Sequence, residues 1–279
     1  MKYITYKQSS EGRNGHILHE IITPYIFSFF IKSLEVIPHP TWAKQNVLKF
    51  KYSKSSFENA ITIKSDREWW HGISINLFRQ ICNKIRAAPE GSVFELTGVL
   101  RIDPVNLTKW YNQKLIKRNV FIDNFIPKIR DLYHQNQPLR KVNCLSIHAR
   151  RGDIVDPNDN REWFKNMFWG VDYINHRIEK FRESYPDLSI YVFSERENSK
   201  DLHILKKHKN LHLRLGDKNS FVEDFNFIVS SEFFMPCNSG MSIMASYISR
   251  NKILMPIKKF NNKKFEIIRF HKHHIWKNV

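Results

Sequence analysis

Near the middle of the chain an apolar, β-prone run, Cys144 to Ile147, stops at His148-Ala149-Arg150-Arg151-Gly152-Asp153. A strand buried on both faces reads as a continuous apolar run, and open α/β sheets bind ligands outside the carboxyl ends of such strands. Two guanidiniums delivered there, with Gly152 permitting a tight turn, suit a multiply charged anion such as a diphosphate. Three later loops hold the same position after an expected strand. They are Phe193-Ser194-Glu195-Arg196-Glu197, Leu215-Gly216-Asp217 and Cys237-Asn238-Ser239-Gly240-Met241-Ser242. The last opens a helix, whose free amides and hydroxyls make an anion site. Glu223 and Asp224 begin the helix before it, where acidic residues ordinarily serve as caps and dipole partners.

The elements that must position these groups follow from pattern and punctuation. Lys2 to Lys7 alternates as a first strand, Ser9 to His16 is a turn containing Gly12, Asn14 and Gly15, and Ile17 to about Leu34 is a largely buried helix. Strand, glycine loop and helix open many nucleotide- or sugar-binding α/β units, although such a loop also serves as a plain connector. Strands are expected at 46–52, 60–64 and 93–100, and helices at 75–87 and 119–133. The polar break Gln135-Asn136-Gln137-Pro138 marks a domain boundary. Beyond it strands at 143–148, 188–193, 211–214, 232–236 and 252–255 alternate with helices at 170–184, 199–208, 221–230 and 241–249. That alternation predicts a parallel sheet. The resulting division is an N-terminal α/β domain over 1–138, a Rossmann-like domain over 139–257 and a basic, aromatic tail over 258–279.

Bulk properties narrow the class. With 279 residues, 42% hydrophobic and 14% aromatic, the chain can bury the cores of two modest domains. The net charge of +18 fits an anionic small molecule, a nucleic acid or a negatively charged membrane surface bound peripherally, or lysines that simply solvate the surface. No nucleic-acid-binding signature accompanies the charge, so nucleic acid ranks low among partners. Cys82, Cys144 and Cys237 are odd in number and far apart, which points to a reducing compartment. The start, Met-Lys-Tyr-Ile-Thr-Tyr, lacks the apolar core of a signal peptide, and Ile21 to Leu34 is too short and broken to span a bilayer. These features lead one to expect a soluble cytoplasmic protein, and the lysine- and asparagine-rich composition a microbial or viral source.

The residues also carry a family resemblance. Ile147-His148-Ala149-Arg150-Arg151-Gly152-Asp153 resembles the H-x-R-R-x-D motif of the fucosyltransferase superfamily, which includes the α1,2-, α1,6- and protein O-fucosyltransferases. The run from Glu223 to Ser249 resembles its closing motif, in which an aspartate-led helix, a strand and a serine-rich turn precede a helix of small residues. Glu11 to Ile21 resembles its G-x-G-N-x-L opening. The resemblance implies an α/β protein of GT-B architecture, two Rossmann-like domains facing across a cleft, and an inverting transferase. Its donor would be a nucleotide sugar, GDP-fucose by family default, and its acceptor a hydroxyl of a glycan or glycoprotein.

Carried over position by position, Arg150 would pair with the donor diphosphate, His148 would contact the nucleotide and Arg151 would shape the site near the sugar. Asp224 would accept hydrogen bonds from the base, and Ser239 with the Gly240 amide would hold a phosphate. Gly12, Asn14, Gly15, His16, Ser194, Glu195, Asn238, Met241 and Ser242 complete the expected donor site. Asp153 and Asp156 are the favoured bases for the acceptor hydroxyl, ahead of Asp159 and Glu162. Trp69 and Trp70 offer an aromatic platform for an acceptor sugar, with core packing an equal reading. No Asp-x-Asp metal motif occurs, so the chemistry is expected to need no metal and no other cofactor, fixed arginines and helix amides stabilising the leaving group instead.

This sequence departs from the family at His16, at Asn158 where α1,6-type enzymes place a glutamate, and at Ser239-Gly240-Met241-Ser242, which replaces a denser serine turn. A UDP-linked pentose such as UDP-xylose is therefore the alternative donor. A non-catalytic basic protein binding glycan or nucleic acid is the alternative class. His271, His273 and His274 are read as part of a solvated tail rather than a metal site.

Overall fold

The computed structural model describes residues 1–7, 14–45, 59–65, 73–98, 100, 102, 110, 113–117, 124–137, 140–151, 169–195, 199–216, 221–237, 239–250, 252–254, 259–260 and 263–264. The chain divides into two units, Met1–Pro138 and Leu139–Val279.

In the first unit the elements run β1 (Lys2–Tyr6), α1 (Asn14–Phe30), β2 (Leu34–Val36), a 3₁₀ turn (Pro40–Gln45), β3 (Ile61–Ser65), α2 (Ile75–Ala87), β4 (Val93–Gly98) and α3 (Ile126–Asn136). The four strands form one sheet in the order β2-β1-β4-β3, each neighbouring pair parallel. Helix α2 shows why the sequence folds as it does. Ser74 caps it by accepting the Leu77 amide, Phe78, Ile81, Cys82 and Ile85 bury one face at helical spacing, and Lys84 and Arg86 complement its carboxyl end. Gly98, with φ of 73°, ends β4 in the left-handed region that favours glycine.

Helix α1 departs from expectation at both ends. It begins at Asn14, so Asn14, Gly15 and His16 belong to its first turn rather than to a loop, and it ends at Phe30. Leu34 leaves the helix to begin β2 beside β1, with the Lys2 amide donating to the Ser33 carbonyl at 2.9 Å. An apolar run alone does not distinguish a buried helix from the buried strand that follows it. Pro24 lies inside α1, where it cannot donate to the carbonyl one turn back. Its neighbour Thr23 accepts the amide of Ile102 at 2.8 Å and donates to the His19 carbonyl.

The second unit runs β5 (Val142–His148), α4 (Val171–Ser184), β6 (Ser189–Ser194), a 3₁₀ helix (Lys200–Lys207), β7 (Leu211–Leu215), α5 (Phe221–Ser230), β8 (Ser231–Met235), α6 (Gly240–Ile248) and β9 (Lys252–Ile253). All five strands are parallel, in the order β7-β6-β5-β8-β9. Numbered within the unit this is 3-2-1-4-5, so the order reverses between β5 and β8. That is the switch point at which open α/β sheets bind ligands. Central β5 is buried from Cys144 onward. Leu145, Ile147 and Ala149 join the core with Tyr173, Ile174 and Ile178 of α4. Ser146 and His148 fall on the other side of the strand by its two-residue period.

Residues 200–207 wind as a 3₁₀ helix where the sequence suggests an α-helix. Leu202 and Leu205 are fully buried and Ile204 is exposed. That three-residue apolar spacing matches a helix of three residues per turn. Helix α5 passes directly into β8, and Ser230 and Ser231 hydroxyls donate to the carbonyls of Asn226 and Phe227, satisfying the helix end. Residues 259–260 and 263–264 pair as a short antiparallel hairpin. The strand expected at 46–52 and the tail histidines lie outside the described residues. No helix among the described residues is long and apolar enough to cross a membrane.

Candidate functional site

The carboxyl ends of β5 and β8 lie side by side, with Ile147 paired to Met235. One residue on, His148 is nine-tenths buried and its Nδ1 stands 2.6 Å from Ser242 Oγ, 3.3 Å from Cys237 Sγ and 3.4 Å from Ser239 Oγ. Ser239 is the N-cap of α6 and accepts the Ser242 amide at 3.2 Å, while the Ser242 hydroxyl oxygen accepts the Cys237 amide at 3.2 Å. The cluster is therefore built from the cap: extended backbone at Ser239 turns its hydroxyl under the helix and brings Ser242 down onto the histidine. The Gly240 and Met241 amides, first in the helix, have no carbonyl within α6 to receive them. Among the described residues the Nε2 atom of His148 makes no hydrogen bond.

Burial works against charge on both His148 and Cys237, yet their mutual attraction prevails. His148 is held above its ordinary value, with Cys237 and then Glu195 favouring the imidazolium and Arg150 opposing it. For Cys237 burial is again the largest influence and raises the thiol, but His148, Ser242 and Ser239 draw it down to about 7. Each member of the pair thus favours the charged form of the other.

The two adjacent arginines part company. Arg150 is half-buried at the end of β5. Arg151 is wholly buried: its Nε and Nη2 donate to the Asp201 carboxylate at 2.7–3.2 Å, and its Nη1 donates to the Arg150 carbonyl at 2.9 Å. Its own amide donates to Glu195 Oε2 at 2.8 Å. This placement commits the Arg151 side chain to the interior. The side chain clamps the chain after β5 to the 3₁₀ helix, and of the two adjacent guanidiniums Arg150 is the one left partly exposed.

Around this centre, Ser194 ends β6 with its hydroxyl buried and without a hydrogen-bond partner among the described residues. Such an orphan costs about 1–3 kcal/mol unless a ligand or water completes it. Asp224 in the first turn of α5 pairs with Arg214 at 2.9 Å. The Arg214 guanidinium in turn lies over the rings of Phe193 and Phe227. Burial holds the Asp224 carboxyl above its ordinary value although Arg214 opposes this. Asp224 is thus already engaged by Arg214, an arrangement the sequence did not disclose.

The structure brings His148, Arg150, Ser194, Glu195, Asp224, Ser239, Gly240, Met241 and Ser242 into one unit, on the carboxyl ends of its strands and the helix starts that follow. Asn14, Gly15 and His16 belong to the first unit. Gly12, Trp69, Trp70, Asp153, Asp156, Asp159, Glu162 and Asn238 lie outside the described residues. Sequence reasoning passed over Asp201 and Arg214, and named Cys237 only as the start of the loop before α6, without a role. Cys237 was detectable as the residue that a parallel β5–β8 pairing would set against the end of β5. Among the described residues no three His, Cys, Asp or Glu side chains are grouped to hold a metal ion.

Removing the cap should weaken the cradle measurably. Ser239→Ala is expected to cost about 1 kcal/mol, lowering the melting temperature by roughly 2–4 °C. An unchanged melting temperature would mean that α6 does not depend on this hydroxyl.

None of the curated proteins matches the sequence. Solved structures with similar backbones include POFUT1 in complex with GDP, 13% identical over 91% of this chain and 98% of that one, with a TM-score of 0.47. An arginine-to-lysine mutant of Arabidopsis thaliana FUT1 in complex with GDP is 10% identical over 94% and 72%, with a TM-score of 0.49. E. coli heptosyltransferase WaaC with ADP is 10% identical over 91% and 87%, with a TM-score of 0.42. The family model described as glycosyl transferase family 11 matches residues 121–278, more than half of the chain and the whole of the site just described. The chain therefore belongs to glycosyl transferase family 11 and is a glycosyltransferase of the fucosyltransferase superfamily.

Proposed function

We propose that the chain transfers fucose from GDP-fucose to a hydroxyl of a glycan acceptor, with inversion and without a metal ion. The observation that carries this reading is the juxtaposition of His148 and Arg150 with the start of α6 at the sheet's switch point, inside the region matched by the family. Glycosyl transfer requires the departing nucleoside diphosphate to be stabilised while the sugar carbon develops oxocarbenium character. Arg150, an Nε2–H donor on His148 and the amides of Gly240 and Met241 present positive charge and fixed dipoles without reorganisation. Ser194 completes its bonding on the same ligand. Asp224, released in part from Arg214, accepts hydrogen bonds from the guanine edge. Asp153 or Asp156, on the chain following β5, takes the acceptor proton. The excess of positive charge raises the local concentration of an anionic donor.

Calorimetric titration with GDP and with UDP tests the donor. GDP is expected to bind and UDP to bind at least tenfold more weakly, about 1.4 kcal/mol. The reverse order would transfer the reading to a UDP-linked pentose such as UDP-xylose. Binding of neither, with salt-steep binding to polyanions, would favour a basic binding protein that is not catalytic. Transfer is further expected to survive EDTA. Complete loss restored by a divalent ion would overturn the metal-free mechanism.

A further inference from the structure

The cluster under the donor site contains a group that the transfer reaction does not call on. Cys237 is fully buried beside the start of α6, with Sγ 3.3 Å from His148 Nδ1 and 3.4 Å from Ser242 Oγ. Hydroxyl and thiol crowd one edge of the imidazole, while Nε2 on the opposite edge makes no hydrogen bond among the described residues. A histidine held this way is a two-sided device, with the thiol against one nitrogen and the other nitrogen without a hydrogen bond among the described residues. We propose that Cys237 is the resting counterion of His148 and is replaced in that role by the donor's diphosphate, so that donor binding takes up a proton.

The electrostatics fix the sign. Without donor, the thiolate and imidazolium neutralise one another in a site from which water is excluded. A diphosphate arriving at Nε2 brings a second negative charge close to Sγ and becomes the counterion of the imidazolium. The thiolate, now facing an anion and no longer needed by His148, takes a proton from solvent onto Sγ and becomes a neutral thiol. No bond other than S–H forms, and no electron is transferred. The tendency of Cys237 to ionise near neutral pH places this exchange in an accessible range. The other groups acting on the pair are Arg150 at the end of β5, Glu195 after β6 and Asp224 on α5. Ser239 and Ser242 on α6 do not titrate in this range. Arg150 opposes the imidazolium, whereas Glu195 and Asp224 favour it. Cys237 is thus a positioning residue, acting on the donor through His148.

This inference rests on the diphosphate reading above, and its test separates the two. GDP-fucose is the probe, because its diphosphate is esterified at both ends and has no group titrating near neutrality. Its binding enthalpy is measured in buffers of different ionisation enthalpy at several pH values. The slope is expected to show uptake rising to as much as about one proton per nucleotide at about pH 8, and vanishing on the acid side of about pH 6.5 where Cys237 is already a thiol. Affinity should accordingly fall up to about tenfold per pH unit above neutrality. Cys237→Ser keeps a hydrogen-bonding side chain but cannot ionise, and is expected to bind without proton uptake. Binding by the unaltered protein without uptake overturns the inference while leaving the donor reading intact, whatever the variant does. Uptake that persists in Cys237→Ser also overturns it, by assigning the proton elsewhere. Failure of GDP-fucose to bind at any pH overturns both.

Discussion

Arg150→Ala is expected to lower kcat/KM by about 10²–10³-fold, the scale seen when one fixed donor to a developing anion is removed. The argument rests on its difference from Arg151. Arg151 is committed to Asp201 in the interior, so Arg150 is the guanidinium that the strand end leaves half-buried at the switch point. On the function proposed above its charge acts where the bridging oxygen departs, so the loss is expected to fall on kcat as well as KM. Arg150→Lys restores charge but not the planar fork and should recover only part of the rate. The melting temperature of both variants should stay within about 2 °C of the original, since a partly exposed side chain is being altered. Activity within about threefold of the original would remove Arg150 from the site.

The second large effect concerns stability. Asp201→Ala leaves the Arg151 guanidinium, with no exposed surface, without the carboxylate that accepts three of its hydrogen bonds. Breaking a buried pair from one side costs about 3–5 kcal/mol. The Asp201 side chain is 35% exposed, so the lower end, about 3 kcal/mol, is expected, or roughly 10 °C in melting temperature. Activity should fall in parallel, because the clamp holds the chain that carries Arg150. The double variant Arg151→Met with Asp201→Ala should regain much of the loss, since an apolar side chain of similar length no longer needs a partner. Thermal melts of the two variants decide the matter. A shift under about 2 °C for Asp201→Ala would show that water or other groups satisfy the guanidinium.

These two arginines also show how far the sequence could be read. The apolar run ending at His148 was legible as a central parallel strand because both faces of such a strand must be apolar. The serine turn before α6 was legible because an N-cap followed by small residues has few other uses. Strand-helix alternation beyond residue 139 likewise revealed the α/β class, and both units have parallel sheets. The fates of Arg150 and Arg151 were not legible. They are chemically identical neighbours, and consecutive side chains on extended backbone point in opposite directions. Which one turns inward depends on Asp201, fifty residues away in a segment whose winding follows a three-residue leucine spacing. The pairing of Cys237 with His148 was not legible for a related reason: read along the chain Cys237 is an isolated thiol, and its partner comes from a strand 89 residues earlier. Helix α1 misled at its far end because one apolar stretch serves both a helix and the strand after it.

One further consequence follows from the contiguity of the second unit. Every described side chain of the cradle, from His148 to Ser242, is drawn from one uninterrupted stretch, and a single peptide bond, between Pro138 and Leu139, joins that stretch to the other unit. On the function proposed above, one contiguous segment of the gene therefore encodes all the described residues that would hold the leaving group.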